Sequence, residues 1–381
     1  MNASSMASSV ASSTNSTPGS MQSSRPDSKP DSKPWIVLVG GFLGSGKTTL
    51  ILSAIRELER RGLHSVAIFN DQGKELVDTN YAELSNVHSG EVIGGCFCCK
   101  FSDLLDVIHE LSAWAPDVIF AEPVGSCTDI SATVLRPLEE DGERFRLAPI
   151  TVLVDPARAE ELQEADSEAN MRFLFEKQLD EADIVCFTKS DLYPQLSSFD
   201  IGSMPLKARQ ISSKTGQGVA AWLDEALSGT IAAGGRSLAI DYAQYAKAEA
   251  ALAWLNLQAV FEPEQPTSPA MTLGPFFDGL DRALTDGGIP IVHLKAIVTS
   301  PSGFVKAAIC ANGQEPVIEG NLDASPSRKL QLLLNLRAVG EPDRVRALVE
   351  QECVKLRDRI TRLNLDCFCP SAPIPERRIA R

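Results

Sequence analysis

Val39-Gly40-Gly41-Phe42-Leu43-Gly44-Ser45-Gly46-Lys47-Thr48-Thr49-Leu50 decides the fold, because Gly41 to Thr48 spell a full G-x-x-x-x-G-K-T loop. Trp35 to Val39 before it is apolar and β-branched, as a buried parallel strand requires. Thr49 to Arg61 after it has helical spacing, with Leu50, Ala54, Ile55 and Leu58 on one face and Arg56, Glu57, Glu59 and Arg60 on the other. A phosphate-binding loop belongs between such a strand and such a helix. Glycines at 41, 44 and 46 let the backbone amides of Ser45 to Thr49 turn inward around phosphate oxygens. Lys47 supplies a point charge to the β- and γ-phosphates, and the Thr48 hydroxyl is a Mg²⁺ ligand. The alternative, a chance glycine-rich turn, leaves the agreement of spacing, Lys-Thr and flanking elements unexplained.

Outward from this unit, further strands are expected at Ser65–Phe69, Asp117–Ala121, Pro149–Val154, Ala182–Phe187 and 207–211, with helices at Asp103–Trp114 and Gly218–Ala226. Alternating strands and helices predict an α/β, doubly wound, mostly parallel P-loop NTPase sheet, with ligands beyond the carboxyl ends of its strands. The small residues Gly229 to Gly235 mark a boundary. Beyond it, strands at Ala251–Phe261, Ile289–Thr299, Phe304–Ala311 and Leu330–Ala338 and helices at Thr272–Thr285 and Asp343–Leu363 predict a smaller C-terminal α+β domain. The expected division is a Ser-rich disordered tail at 1–34, a nucleotide domain at 35–232, the α+β domain at 245–365 and a tail at 366–381. The first segment is too poor in large apolar residues to offset ordering entropy; an organelle transit peptide is the alternative.

The 381 residues carry 44% hydrophobic and 23% charged side chains, an ordinary globular balance. A net charge of −14 argues against broad nucleic-acid or anionic-membrane surfaces. No apolar run reaches membrane-spanning length, so the expectation is a cytoplasmic protein. Nine cysteines, three of them in Cys96-Phe97-Cys98-Cys99, do not form a secreted disulfide framework.

Thr188-Lys189-Ser190-Asp191 follows a buried strand. The Asp191 carboxylate can accept from guanine N1–H and from the exocyclic amine, Lys189 can lie along the base, and Thr188 can bond the loop backbone. Ser213 and Lys214 at the next strand end fit a loop touching the guanine O6, or a plain Ser-rich turn. Glu122-Pro-Val-Gly125 occupies the place of a γ-phosphate and Mg²⁺ sensor, with Glu122 near the metal and the Gly125 amide near the phosphate. Asp71 is a further oxygen ligand for Mg²⁺ or the attacking water, or merely part of an Asn-Asp turn. Cys96, Cys98 and Cys99 offer three soft sulfurs suited to Zn²⁺ or a similar ion, with redox chemistry and plain burial as alternatives. His88 is a conceivable fourth ligand and a more ordinary surface residue. Cys127 and Cys186 read as small apolar fillers, and Cys367 and Cys369 as inert tail thiols, with a metal ligand donated after domain closure as the alternative.

The ordered set Gly-Phe-Leu-Gly-Ser-Gly-Lys-Thr-Thr-Leu, Gly-Gly-Cys-Phe-Cys-Cys, Glu-Pro-Val-Gly and Thr-Lys-Ser-Asp-Leu closely resembles the CobW-type GTPases. These are related to the nickel-insertion GTPases of urease and hydrogenase maturation. The resemblance implies a low-turnover GTPase and metallochaperone using GTP, Mg²⁺ and Zn²⁺ or another transition metal, with a client metalloprotein as partner and possible homo-oligomers. On it, Lys47, Glu122 and Asp71 are the expected catalytic residues. The chain departs from the family pattern at Asn70-Asp71-Gln72-Gly73, where Asn-Glu-Phe-Gly is usual, and at Thr188, where Asn is usual. It also lacks the histidine-rich segment. The competing reading is a nucleotide-gated metal sensor with negligible turnover.

Overall fold

Strand β1 (Trp35–Gly41) is buried almost end to end, and the first sheet grows from both of its edges. In the computed structural model, the described residues are 33–73, 76–140, 144–164, 168–194, 209–356 and 359–380. The Ser-rich N-terminal segment, with its transit-peptide alternative, lies outside them, as do the first two residues of the strand expected at 207–211. From Lys33 onward the chain forms one compact unit.

β1 leads into α1 (Lys47–Arg60), β2 (Ser65–Asp71), α2 (Val77–Leu84), β3 (Ser89–Ile93), α3 (Phe101–Ser112) and β4 (Val118–Glu122). A π-helical turn, Ser131–Leu135, runs into α4 (Arg136–Glu140). Then come β5 (Arg146–Leu147), β6 (Thr151–Val154), α5 (Pro156–Gln163), α6 (Ala169–Glu181), β7 (Ile184–Phe187), β8 (Arg209–Gln210) and α7 (Val219–Ala226). All pairings are parallel, in the order β3-β2-β4-β1-β6-β7-β8, with β5 beside β1. This is the doubly wound P-loop sheet. Alternate residues of β1 face opposite layers: Ile36 and Leu38 join one core, Val37 and Val39 the other. Helix α2, with Val77, Tyr81 and Ala82 inward, occupies a stretch for which the sequence reading assigned no element.

α8 (Tyr242–Ala250) precedes the second sheet, built from β9 (Leu252–Phe261), β10 (Ile291–Ser300), β11 (Gly303–Ile309), β12 (Val317–Gly320), β13 (Leu330–Val339) and β14 (Ile360–Phe368). It is wholly antiparallel, in the order β12-β11-β10-β13-β9-β14. α9 (Pro269–Asp286) and α10 (Pro342–Val354) pack on one face, where Leu255, Leu257, Leu294, Ala296, Leu334 and Leu336 join them in a single core. The expected helix Asp343–Leu363 is corrected: it ends at Val354, and Ile360–Phe368 is an edge strand on β9. The run Ile-Thr-Arg-Leu-Asn-Leu-Asp-Cys-Phe alternates with period two, and β9 offers it an open edge.

The same period two decides the other face of this sheet. Trp254, Asn256, Lys295, Lys306, Asn335 and Arg337 alternate with the core residues, and all are buried. They are turned toward the nucleotide domain. Among the described residues, no helix is long and apolar enough to cross a membrane.

Candidate nucleotide and metal site

Gly41 ends β1 at φ 133°, where a Cβ would lie 2.5 Å from the Leu153 carbonyl oxygen, so only glycine fits. Gly46, at φ 90°, caps α1, whose amino terminus opens into a cavity of about 150 Å³. Lys47 is buried, with Nζ donating to the carbonyls of Gly41 (2.9 Å) and Phe42 (3.3 Å). Burial pushes its pKa down, against the opposing charge of Glu122. The Ser45 hydroxyl is buried with no hydrogen-bond partner in the structure. Gly125 lies directly opposite; a Cβ there would stand 3.0 Å from Lys47 Nζ and 2.8 Å from Leu43 Cδ2. An unpartnered hydroxyl, a buried ammonium held only by loop carbonyls and a side-chain-free wall are what a bound triphosphate would use.

Thr48 Oγ1 lies 2.9 and 3.2 Å from the Glu122 oxygens and 3.1 Å from Asp78 Oδ1. One hydroxyl between two carboxylates fits a Mg²⁺ position. Burial first, then the charge of Asp78, pushes Glu122 up to about 7. Burial would raise Asp78 too, but the Lys295 ammonium, paired with it, holds it at about 2. Asp78 was missed at the sequence level. It belongs to no spaced motif, and its only signal is its place in the first turn of a helix after β2.

Asp71, expected beside Mg²⁺ or the attacking water, lines the same cavity but is engaged elsewhere. Its oxygens accept from Arg337 Nη2 at 2.8 and 2.7 Å, and Oδ1 also accepts from the Gly73 amide. Arg337, in turn, stacks over Trp254 at 4.0 Å. Asp71 therefore ties the second sheet to β2, while Asp78 takes the place beside Thr48. Gly44 and Thr49 line the cavity as expected. Lys295, Lys306 and Arg337 also line it, so the second sheet contributes three cations to a site expected from the first sheet alone.

The residues expected to read the base come together at the ends of β7 and β8. Thr188 Oγ1 donates at 3.2 Å to the carbonyl of Val154, the last residue of β6, rather than to its own loop. Lys189, at φ 56°, pairs with Asp155 at 2.6 Å. Asp191 is exposed and accepts from Ser212 Oγ at 2.7 Å, which joins it to the turn that carries Ser213 and Lys214.

The cysteines sit between β3 and α3. Asn70, at the end of β2, clamps their loop: its Nδ2 donates to the carbonyls of Val92 (2.8 Å) and Gly95 (2.7 Å), and its Oδ1 accepts from the Phe97 amide (2.9 Å). Cys96 Sγ is 2.8 Å from Cys98 Sγ and 3.3 Å from Cys99 Sγ, and Cys98 and Cys99 are 3.6 Å apart. Among the described residues, these three are the metal-ligating side chains whose donor atoms all lie within 4.8 Å of one another. Hydrogen bonding with Cys127 first, then with Cys98 and Cys99, holds the Cys96 thiol well below the usual thiol range. Cys127, read from sequence as a filler, thus lies against the cluster; its neighbourhood is tertiary and no local spacing announces it. His88 stacks on Trp114 at 3.8 Å and is not part of the group.

The C-terminal segment, expected to be a tail from 366, begins inside β14 and then crosses the cysteines. The Ile374 amide donates to Cys99 Sγ (3.2 Å) and the Glu376 amide to the Cys98 carbonyl (2.9 Å). The Glu376 carboxylate accepts from Ser102, and Arg378 pairs with Asp129 at 2.7 Å.

Residues 35–215 match the family described as CobW/HypB/UreG, nucleotide-binding domain. The zinc chaperone YjiA of Escherichia coli (strain K12) is 27% identical over 167 residues, 41% of this chain and 49% of that protein. The chain thus spans about half the length of this curated relative. Among solved structures, the Zn(II)-bound YjiA GTPase from E. coli aligns at 12% identity and a TM-score of 0.31, over 84% of this chain and 99% of that one. HypB from Helicobacter pylori in complex with nickel aligns at 14% and 0.40, over 54% and 92%. Over residues 35–215, the chain is thus similar to the nucleotide-binding domain of the CobW/HypB/UreG family.

Proposed function

We propose that the protein is a GTP-hydrolysing metallochaperone, which binds zinc or a similar transition metal on Cys96, Cys98 and Cys99 and delivers it to a client metalloprotein. The observation that carries this reading is the shared frame of the two sites. Asn70, at the end of β2, clamps the cysteine loop, and Gly125, after β4, stands opposite Lys47. The printed name of the curated relative, a zinc chaperone, agrees with a metal cargo.

Lys47, the amides of Ser45 to Thr49 and the Gly125 amide bind the phosphates. Thr48, Glu122 and Asp78 would hold Mg²⁺, which supplies charge neutralisation across the β- and γ-phosphates. Lys295, paired with Asp78, would share that carboxylate with the metal position and so ties the second sheet to it. Asp191 and Lys189 read the base. Nine free cysteines, three of them clustered, suit a reducing compartment such as the cytoplasm.

The test is nucleotide competition and turnover on the purified full chain. GTP should outcompete ATP, and Asp191→Asn should weaken GTP at least about tenfold, the loss of one good charged hydrogen bond. Zn²⁺ or client should stimulate hydrolysis. A preference for ATP, or turnover indifferent to metal and client, would remove the reading.

A further inference from the structure

We propose that Lys295, on β10 of the second sheet, is a γ-phosphate ligand and the cation that stabilises the transition state of GTP hydrolysis. This rests on the GTPase reading and adds to it a catalytic residue from outside the nucleotide domain.

Strand β10 crosses the phosphate-binding loop. At one end of the crossing, a Cβ on Gly44 would stand 3.7 Å from His293 Cδ2. Two residues on, about 7 Å along an extended strand, is Lys295. Its Nζ pairs with Asp78 Oδ2, and Asp78 Oδ1 is itself 3.1 Å from Thr48 Oγ1. His293 and Lys295 share one face of β10, and both line the cavity together with Lys47, Thr48 and Gly125. The position is well fixed. Lys295 lies mid-strand, in register with Ala308 of β11 and Asn335 of β13. Asn335 Oδ1 accepts from the Val77 amide at 3.1 Å, and Tyr81 Oη donates to Glu319 at 2.9 Å, so the second sheet also holds the helix that carries Asp78.

The charges around the cavity single out Lys295. Arg337 is committed to both oxygens of Asp71, Lys306 pairs with Glu319 at 2.7 Å, and Lys189 pairs with Asp155 at 2.6 Å. Of the described Lys, Arg, Asp and Glu side chains that line the cavity, Lys47, Lys295, Glu122 and Asp78 remain. Once Thr48, Glu122 and Asp78 hold Mg²⁺, both carboxylates are neutralised, and the charges of Lys47 and Lys295 face the triphosphate. An ammonium has three donors; Asp78 occupies one, and the others can reach γ-phosphate oxygens. In hydrolysis the water oxygen bonds Pγ, and the bond from Pγ to the bridging oxygen breaks with its electron pair on GDP. One water proton stays on the inorganic phosphate and the other goes to solvent. Lys295 moves no proton; it stabilises the negative charge on the transferring group. GDP lacks that group, so Lys295 serves the triphosphate and its transition state.

The experiment uses full-length Lys295→Met and Lys295→Gln; the glutamine keeps a donor for Asp78 and removes the charge. It measures affinity for Mg²⁺·GDP, affinity for Mg²⁺·GDP with aluminium fluoride as the transition-state probe, and kcat and KM for GTP. Both variants should bind GDP as wild type does. Each should lose at least about 100-fold in kcat and in affinity for the fluoride complex, the usual cost of removing one preorganised donor, with KM less affected. Lys295→Arg, which keeps the charge, should recover part of both. Circular dichroism and GDP affinity report whether the fold and the metal position are intact. Wild-type values of kcat and fluoride-complex affinity in both variants would overturn the proposal. So would an equal loss toward GDP and toward the fluoride complex, which marks a purely structural pair. Wild-type GTP binding and turnover test the GTPase reading separately; a wild type that neither binds nor hydrolyses GTP would remove that reading and this proposal with it.

Discussion

Glu122 carries two duties that pull its proton in opposite directions. Burial favours the neutral acid and holds the carboxyl at about 7, whereas a Mg²⁺ ligand must be ionised. Because the folded value lies above the unfolded one, the protonated form stabilises the fold fully below about pH 4.5, and this contribution fades as pH rises through 7. Mg²⁺-supported nucleotide binding has the opposite slope. It should weaken by up to about tenfold per pH unit below 7 and level off above it. Calorimetric titrations of Mg²⁺·GDP between pH 5.5 and 8.5 should show this slope in wild type and a flatter one in Glu122→Gln; parallel profiles would deny Glu122 the metal. At this scale the sequence is legible where spacing encodes contact: Lys47, Thr48, Glu122 and Gly125, each in a locally spaced motif, line one cavity, and the three cysteines lie within 4.8 Å of one another. Asp78 and Cys127 were not legible, because each reaches its partners through tertiary packing, and the engagement of Asp71 depends on an arginine far along the chain.

Among the elements, β13 shows how one alternation serves two tasks. Leu334 and Leu336 face the helices of the second domain, while Asn335 and Arg337 face the nucleotide domain. The Asp71–Arg337 pair is buried on both sides and joins β2 to β13. Arg337→Met should destabilise the protein by about 3–5 kcal/mol, since it strands a buried carboxylate. Asp71→Asn in the same chain should recover part of that loss. Urea unfolding of the two single variants and the double variant checks this; a single-variant loss under about 1 kcal/mol would mean that the pair is solvated. The C-terminal strap sets a second expectation. Glu376→Ala removes the carboxylate that accepts two hydrogen bonds from Ser102, one from its amide and one from its hydroxyl. Alkylation of Cys98 and Cys99 should then accelerate at least about tenfold through easier local opening. An unchanged rate would show that the strap does not guard the cysteines. The sequence marked strands and helices wherever periodicity was clean. It lost β14 because a helical run precedes it, and β12 because four residues are too few to show a period.

For the whole molecule, the doubly wound sheet followed by an antiparallel sheet was readable from element order, and the resemblance to CobW-type GTPases agrees with the matched family. What could not be read was the docking of the second sheet, since buried Lys295, Lys306 and Arg337 look like solvent-facing charges in a strand pattern. That docking makes one compact unit in which Asn70, Gly125 and the cysteines share a frame. Its functional consequence is linkage: if nucleotide state alters the metal site, metal must alter nucleotide affinity by the same factor. The direct measurement is calorimetric titration of Zn²⁺ into the GDP-bound protein and into the protein bound to a non-hydrolysable GTP analogue. The account predicts affinities that differ by about 1–3 kcal/mol, the usual range of allosteric coupling, with the difference abolished in Cys98→Ser. Equal Zn²⁺ affinity in the two wild-type nucleotide states would contradict nucleotide-gated delivery, even in a protein that both hydrolyses GTP and binds zinc.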